Sequence, residues 1–183
     1  MSDMRVIVVT GLPGSGKTTL ARVLAGRYRL PVISKDLIKE PLLDVIGAAD
    51  AAQSRLLSDA SFAALFGVAR ALRASGTCFV LEGNFRPGEH EVPLGAALHG
   101  APMAQVVCRV PEGERAARLA ARANHPSRHA GHRLGEHISA QAPATRGDAF
   151  LDLPSMRFVH EGASGHPVLA GLDDWMKLRE PSP

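Results

Sequence analysis

The chain has 183 residues, two cysteines and a formal net charge of +3. That length suits one domain burying roughly 70% of its unfolded surface, without need of disulfides or a structural metal. The mild charge and 4% aromatic content weigh against a general nucleic-acid footprint, and no signal peptide or bilayer-length apolar run is evident, so a cytoplasmic, reduced setting is expected.

The apolar run Arg5–Thr10 reads as a first strand, and Leu20–Ala25 as part of an amphipathic helix. Between them lies Gly11-Leu-Pro13-Gly14-Ser15-Gly16-Lys17-Thr18-Thr19, the G-x-x-x-x-G-K-[ST] pattern in the strand–loop–helix setting that gives it meaning. The glycines let the backbone curl so that successive N–H groups form a nest for phosphate oxygens, reinforced by the positive end of the helix dipole. Lys17 is then placed to bridge the β- and γ-phosphates of a nucleoside triphosphate, and the Thr18 hydroxyl to ligate Mg²⁺. A Gly-rich turn that merely starts a helix is the plainer alternative.

Pro31–Ser34 predicts a second strand, followed by a helix from Asp36 to about Ile46 despite Pro41. Asp50–Ala74 carries leucines and alanines at near-3.6 spacing and predicts a long helix closed by Gly76. Thr77–Leu81 is an almost unbroken β-prone run, as in a central parallel strand, and Glu82–Arg86 reads as the polar loop after it. A helix within Gly88–His99, a strand over Ala104–Val110 and a helix from Pro111 to about Ala123 follow. His125-Pro126 breaks that helix, and the Gly-, His- and Arg-rich segment to about Gly147 reads as a flap. Met156–His160 predicts the last strand and Val168–Leu178 a terminal helix. Cys78 and Cys108 fall in strand-like runs and are read as small buried hydrophobes. Alternating strands and helices imply one α/β domain with a parallel sheet, its ligands bound at the carboxyl edge.

Asp36 and Glu82 each follow a strand and so belong at that edge. An acid beside a phosphate site can orient a hydroxyl, accept its proton during phosphoryl transfer and help hold Mg²⁺. Asp36 can equally be a helix N-cap, and Glu82 a surface loop acid. Asn84 and Arg86 are further candidates for substrate contact. Arg115, Arg118 and Arg122 share a helix face by their spacing, with Arg128 and Arg133 beyond them. Such arginines can close over a transferring phosphoryl group, although a solvated basic face accounts for at least two of the five. His125, His129 and His132 have metal-like spacing, but Pro126 and Gly131 interrupt the helix that would gather them, and hydrogen bonding to phosphate is the preferred reading. No guanine-reading Asn-Lys-x-Asp is present, nor an apolar run ending in Asp-Glu.

Taken together, Gly11–Thr19, Ser34-Lys-Asp36-Leu-Ile-Lys39, Val80-Leu-Glu82-Gly-Asn84-Phe85 and the arginine flap resemble the small P-loop kinases related to zeta toxins, chloramphenicol phosphotransferase and the kinase domain of polynucleotide kinases. The resemblance implies a three-layer α/β/α fold, its five-stranded parallel sheet ordered 2-3-1-4-5, with an arginine-rich lid over about residues 111–147. It implies that ATP and Mg²⁺ bind at Gly11–Thr19, with Asp36 acting on the acceptor hydroxyl and Glu82 contacting the substrate. Arg122 and Arg128 would be catalytic lid arginines, with Arg118 also on phosphate. Members act on antibiotics, sugar nucleotides or nucleic-acid ends, so the resemblance does not name the acceptor; a kinase acting on a hydroxyl of a small molecule (antibiotic, sugar, nucleoside or sugar nucleotide) is the first expectation. A 5′-hydroxyl nucleic-acid kinase and a non-kinase regulatory ATPase stand as alternatives, and the oligomeric state is left open.

Overall fold

A computed structural model describes residues 4–123, 149–162 and 166–177. The elements run β1 (Val6–Gly11), α1 (Lys17–Tyr28), β2 (Val32–Ser34), α2 (Lys35–Ile46), α3 (Ala51–Ala74) and β3 (Phe79–Glu82). They continue through α4 (Glu91–Leu98), β4 (Met103–Arg109), α5 (Glu112–Ala123), β5 (Met156–Glu161) and α6 (His166–Lys177). All strand pairings are parallel, in the order β2-β3-β1-β4-β5.

Strand alternation sorts the core into two layers. Val6 and Val8 face a cluster with Phe62, Leu65, Phe66 and Ala69 of α3 and Leu94 of α4. Ile7 and Val9 face the other way, onto Leu20 and Leu24 of α1 and Leu172 and Trp175 of α6. A period of two with apolar residues on both faces is what a central strand between two helix layers requires. Each side chain fully withdrawn from water here contributes roughly 1.5–3 kcal/mol. On the outer layer Asp173 of α6 accepts hydrogen bonds from Arg27 and Tyr28, tying the end of α1 to the last helix.

Three local expectations are corrected. Glu82 is not in a loop: it is the last residue of β3 and 1% exposed, while Phe85, expected in that polar loop, is fully buried in the core. Cys78 lies just before β3 and is half-buried, its sulfur accepting from the Arg5 N–H at 3.3 Å; only Cys108 is a core residue. Asp36 is not the cap of α2, because the Ser34 side chain takes that role and Asp36 sits in the first turn. Pro41 lies inside α2 without ending it.

Candidate active site

Sheet register brings the site together. Ser34 and Val9 are both level with Glu82, and Gly11 is level with Cys108. The carboxyl ends of β2, β3, β1 and β4 therefore form one edge, with the phosphate loop leaving from its middle.

The loop's shape depends on its glycines. A Cβ at Gly11 would lie 2.5 Å from Ser15 Oγ and 2.7 Å from the Cys108 carbonyl oxygen, so the turn folds tightly onto β4 only without a side chain. Gly16 caps α1 in a left-handed conformation (φ 89°) that glycine adopts without steric cost. It provides no side-chain cap, so among the described residues the first N–H groups of the helix, at Lys17, Thr18 and Thr19, have no capping side chain and point toward the place of an anion. Ser15 N–H is used within the turn, donating to Leu12 O at 3.1 Å, whereas Ser15 Oγ is buried without a hydrogen-bond partner among the described residues. Lys17 is buried, Thr18 half-buried and Thr19 exposed.

Beside the loop, Lys17 Nζ stands 3.9 Å from Glu82 Oε1, an ion pair longer than a hydrogen bond. Oε1 accepts no hydrogen bond among the described residues, while Oε2 accepts from Ser34 Oγ at 2.6 Å. Ser34 Oγ in turn accepts from the Asp36 N–H at 3.3 Å. One serine hydroxyl thus caps α2 and anchors Glu82, so Lys17, Glu82 and the base of Asp36 belong to one network. The Asp36 carboxylate meets Lys35 Nζ at 3.2 Å and keeps 42% of its side chain exposed.

Helix α5 lies against the other side of the loop. Arg115 Nη1 donates to Pro13 O at 3.4 Å and Arg118 Nη1 to Gly14 O at 3.5 Å. A Cβ on Gly14 would be 3.1 Å from the Arg115 carbonyl oxygen, and one on Gly16 would be 3.4 Å from Arg118 Nη1. Arg115 and Arg118 also pair with Glu112 and Glu114 on their own helix. Arg122 is exposed. Between loop, β4 and α5 is a cavity of about 310 Å³, lined by Leu12, Ser15, Cys108, Arg109, Glu112 and Arg115 among others. The Cys108 thiol in its wall is pushed up to about 12, chiefly by burial, which keeps it protonated and unreactive. Arg128, Arg133 and the histidines from His125 to His137 lie outside the described residues. Among the described residues no cluster of His, Cys, Asp and Glu could hold a metal, and no helix is long and apolar enough to cross a membrane.

The loop after β3 closes the third side. Asn84 is half-buried, and Arg86 pairs with Glu89 at 3.0 Å with its Nε buried and unbonded among the described residues. The Arg86 N–H donates to His90 Nδ1 at 2.8 Å, and the His90 ring stacks near Phe62 with centroids 4.1 Å apart. Burial, with Arg86 adding to it, holds the His90 imidazole below its ordinary value and hence neutral, as an Nδ1 acceptor must be.

A family model described as an AAA domain matches residues 6–142. The chain belongs to that AAA domain family. Its fold is shared by a Chloroflexus aurantiacus protein provisionally assigned as a kinase, with TM-score 0.82 and 24% identity over 94% of this chain and 98% of the other. The APS kinase of Mycobacterium tuberculosis, solved with AMPPNP and APS, superposes with TM-score 0.61 at 16% identity, covering 96% and 98%. A gluconokinase from Sinorhizobium meliloti gives 0.57 at 18% identity, covering 97% and 96%. At these identities the likeness is one of fold. No curated protein sequence matches the chain. For this AAA domain the sheet order and layers agree with the expected P-loop kinase-like architecture.

Sequence reading gave no contact to Ser34, Lys35, Lys39 or His90; the structure places Ser34 against Glu82, Lys35 against Asp36, His90 against the loop after β3 and Lys39 against Ser54 of α3. Ser34 was detectable, since a serine at a strand end two residues before an acid is an N-cap signal. The other three depend on burial, which no local pattern announces.

Proposed function

We propose that the chain is an ATP- and Mg²⁺-dependent phosphotransferase acting on a hydroxyl of a small molecule. The observation that carries this reading is the Lys17–Glu82–Ser34–Asp36 network beside the phosphate loop. One acid beside the loop would serve Mg²⁺ in any nucleotide hydrolase; a second, half-exposed carboxylate at Asp36, anchored through its backbone to the same serine, is what an acceptor hydroxyl calls for. The residues fit a triphosphate: the helix N-terminus has no side-chain cap, Ser15 Oγ is a buried hydroxyl without a hydrogen-bond partner among the described residues, and Gly11 admits only a bare backbone.

In this reading the N–H groups of the loop hold the phosphates and Lys17 leaves Glu82 to follow the developing charge on the β–γ bridge. Mg²⁺, when bound, would neutralise phosphate oxygens, with Thr18 as its protein ligand. Asp36, exposed enough to meet an acceptor, orients the hydroxyl and takes its proton. Glu82, held by Ser34, places the acceptor with Asn84 and Arg86. Arg118 already lies over the loop, and Arg122 and Arg128 are assigned to the closing lid.

The test is ATP consumption measured against a panel of alcohols and oligonucleotides. One acceptor class should stimulate consumption, Lys17→Ala should abolish it, and Asp36→Asn should lower transfer by about 100-fold with ATP affinity little changed. Full transfer by Asp36→Asn would overturn the role of that residue. Steeply salt-dependent oligonucleotide binding would point instead to a nucleic-acid 5′-hydroxyl.

A further inference from the structure

Two lysines on α2 have no place in the chemistry above, yet both are buried: Lys35 is 7% exposed and Lys39 5%. Four residues apart, they share a helix face with each other, and Lys39 is one turn on from Asp36. Lys35 lies against Gly83, where an added Cβ would sit 3.4 Å from its own, and its Nζ meets the Asp36 carboxylate. Among the described residues the hydrogen-bond partner of Lys39 Nζ is a neutral group, Ser54 Oγ of α3 at 3.1 Å, with the Asp36 carboxylate acting at longer range. Among the described residues no carboxylate is within ion-pair distance of it. Asp59 of α3 acts at longer range on both Lys39 and His90. The lysines are thus covered on one face of α2, Lys39 by Ser54 of α3 and Lys35 by Gly83 just after β3.

A lysine needed only to fill a helix–helix seam would be served better by methionine, since a buried ammonium bonded to a hydroxyl forfeits most of its hydration. Burial and the nearby Lys35 charge bring Lys39 down to about 8, which leaves it mostly cationic at neutral pH. Among the described residues two of its three N–H donors have no hydrogen-bond partner. An incoming oxyanion would satisfy those donors on the same side of α2 as Asp36, which precedes Lys39 by about one helical turn.

We propose that the acceptor carries an oxyanion, a carboxylate or a phosphate, a few bonds from the hydroxyl that is phosphorylated, and that Lys39, aided by Lys35, binds it. This rests on the kinase reading for the hydroxyl but not for the anion site. Neutral and anionic acceptors of matched shape are compared by ATP consumption: glucose with gluconate, ribose with ribose 5-phosphate, and adenosine with adenosine 3′-phosphate. The anionic partner of a pair should stimulate, and Lys39→Met should raise its KM by at least about tenfold, with Lys39→Arg recovering part of the loss. The nucleotide dissociation constant and thermal midpoint of Lys39→Met should stay at or above wild-type quality, because a strained buried charge has been removed.

In parallel, the full chain saturated with Mg²⁺ and a non-hydrolysable ATP analogue is titrated with inorganic phosphate and with acetate, following the amide resonances of Lys39 and Ser54. Saturable shifts in wild type and Lys39→Arg, absent in Lys39→Met, support the site, and the stronger ion tells phosphate from carboxylate. If those shifts occur but no alcohol stimulates ATP consumption, the anion site stands and the kinase reading falls. If neutral alcohols serve as well as anionic ones and Lys39→Met changes nothing, the kinase reading stands and this inference is overturned. An absence of both stimulation and shifts overturns both.

Discussion

Lys17→Met should destabilise the protein in the absence of nucleotide, and Glu82→Gln should repair most of that damage. Glu82 is 1% exposed, and its charge is balanced by Lys17 at 3.9 Å and one hydrogen bond from Ser34. At that separation an effective dielectric of 20 gives a Coulomb attraction of about 4 kcal/mol. Breaking a buried pair from one side leaves the other charge unpaired and costs roughly 3–5 kcal/mol. For a domain of this size a loss near 3 kcal/mol lowers the thermal midpoint by roughly 6–12 °C. In the double variant the remaining amide can still accept from Ser34, so no unpaired charge remains. The assay is urea unfolding of the four proteins of the cycle, with nucleotide removed, at neutral pH. A coupling of about 2–4 kcal/mol is expected. Additivity within about 0.5 kcal/mol would show that the two charges do not sense one another, and the network argument for the site would fail.

Two further outcomes follow from the same geometry. Gly11→Ala drives a methyl group into the Cys108 carbonyl and Ser15 Oγ, so nucleotide binding should be lost together with roughly 2 kcal/mol or more of stability; an alanine variant that binds ATP normally would contradict the described turn. The folded protein binds the His90 proton less readily than the unfolded chain, whose imidazole titrates near 6.5. Stability contributed by His90 is therefore present above that value and is lost as pH falls through it. His90→Gln, which keeps an acceptor for the Arg86 N–H without titrating, should be less stable than wild type at pH 7 and close on it by about pH 5. A gap in urea midpoint that widens in acid would refute the assignment.

Much of the active edge is legible from residue order alone. The Gly11–Thr19 pattern dictates a loop with inward N–H groups because its glycines sit where the chain must turn without side chains. Asp36 and Glu82 were traceable to strand ends, and the edge they share follows from a parallel sheet. What misled was polarity: Glu82-Gly-Asn reads as a loop, yet the sheet keeps Glu82 because Ser34 and Lys17 satisfy its charge. Lys39 shares its helix face with Leu43 and both are buried, Lys39 against Ser54 of α3, though a lysine gives no local sign of burial.

Local chemistry alone thus determined the phosphate loop and the alternation of strands with helices, because each depends on neighbours within a few residues. The pairing of Lys17 with Glu82, the Ser34 link to Asp36, the burial of Lys35 and Lys39 and the seat of α5 on the loop join residues tens of positions apart. Sheet register and helix packing decide those contacts, since a carboxylate or ammonium carries no local sign of whether its partner will be water or a distant side chain.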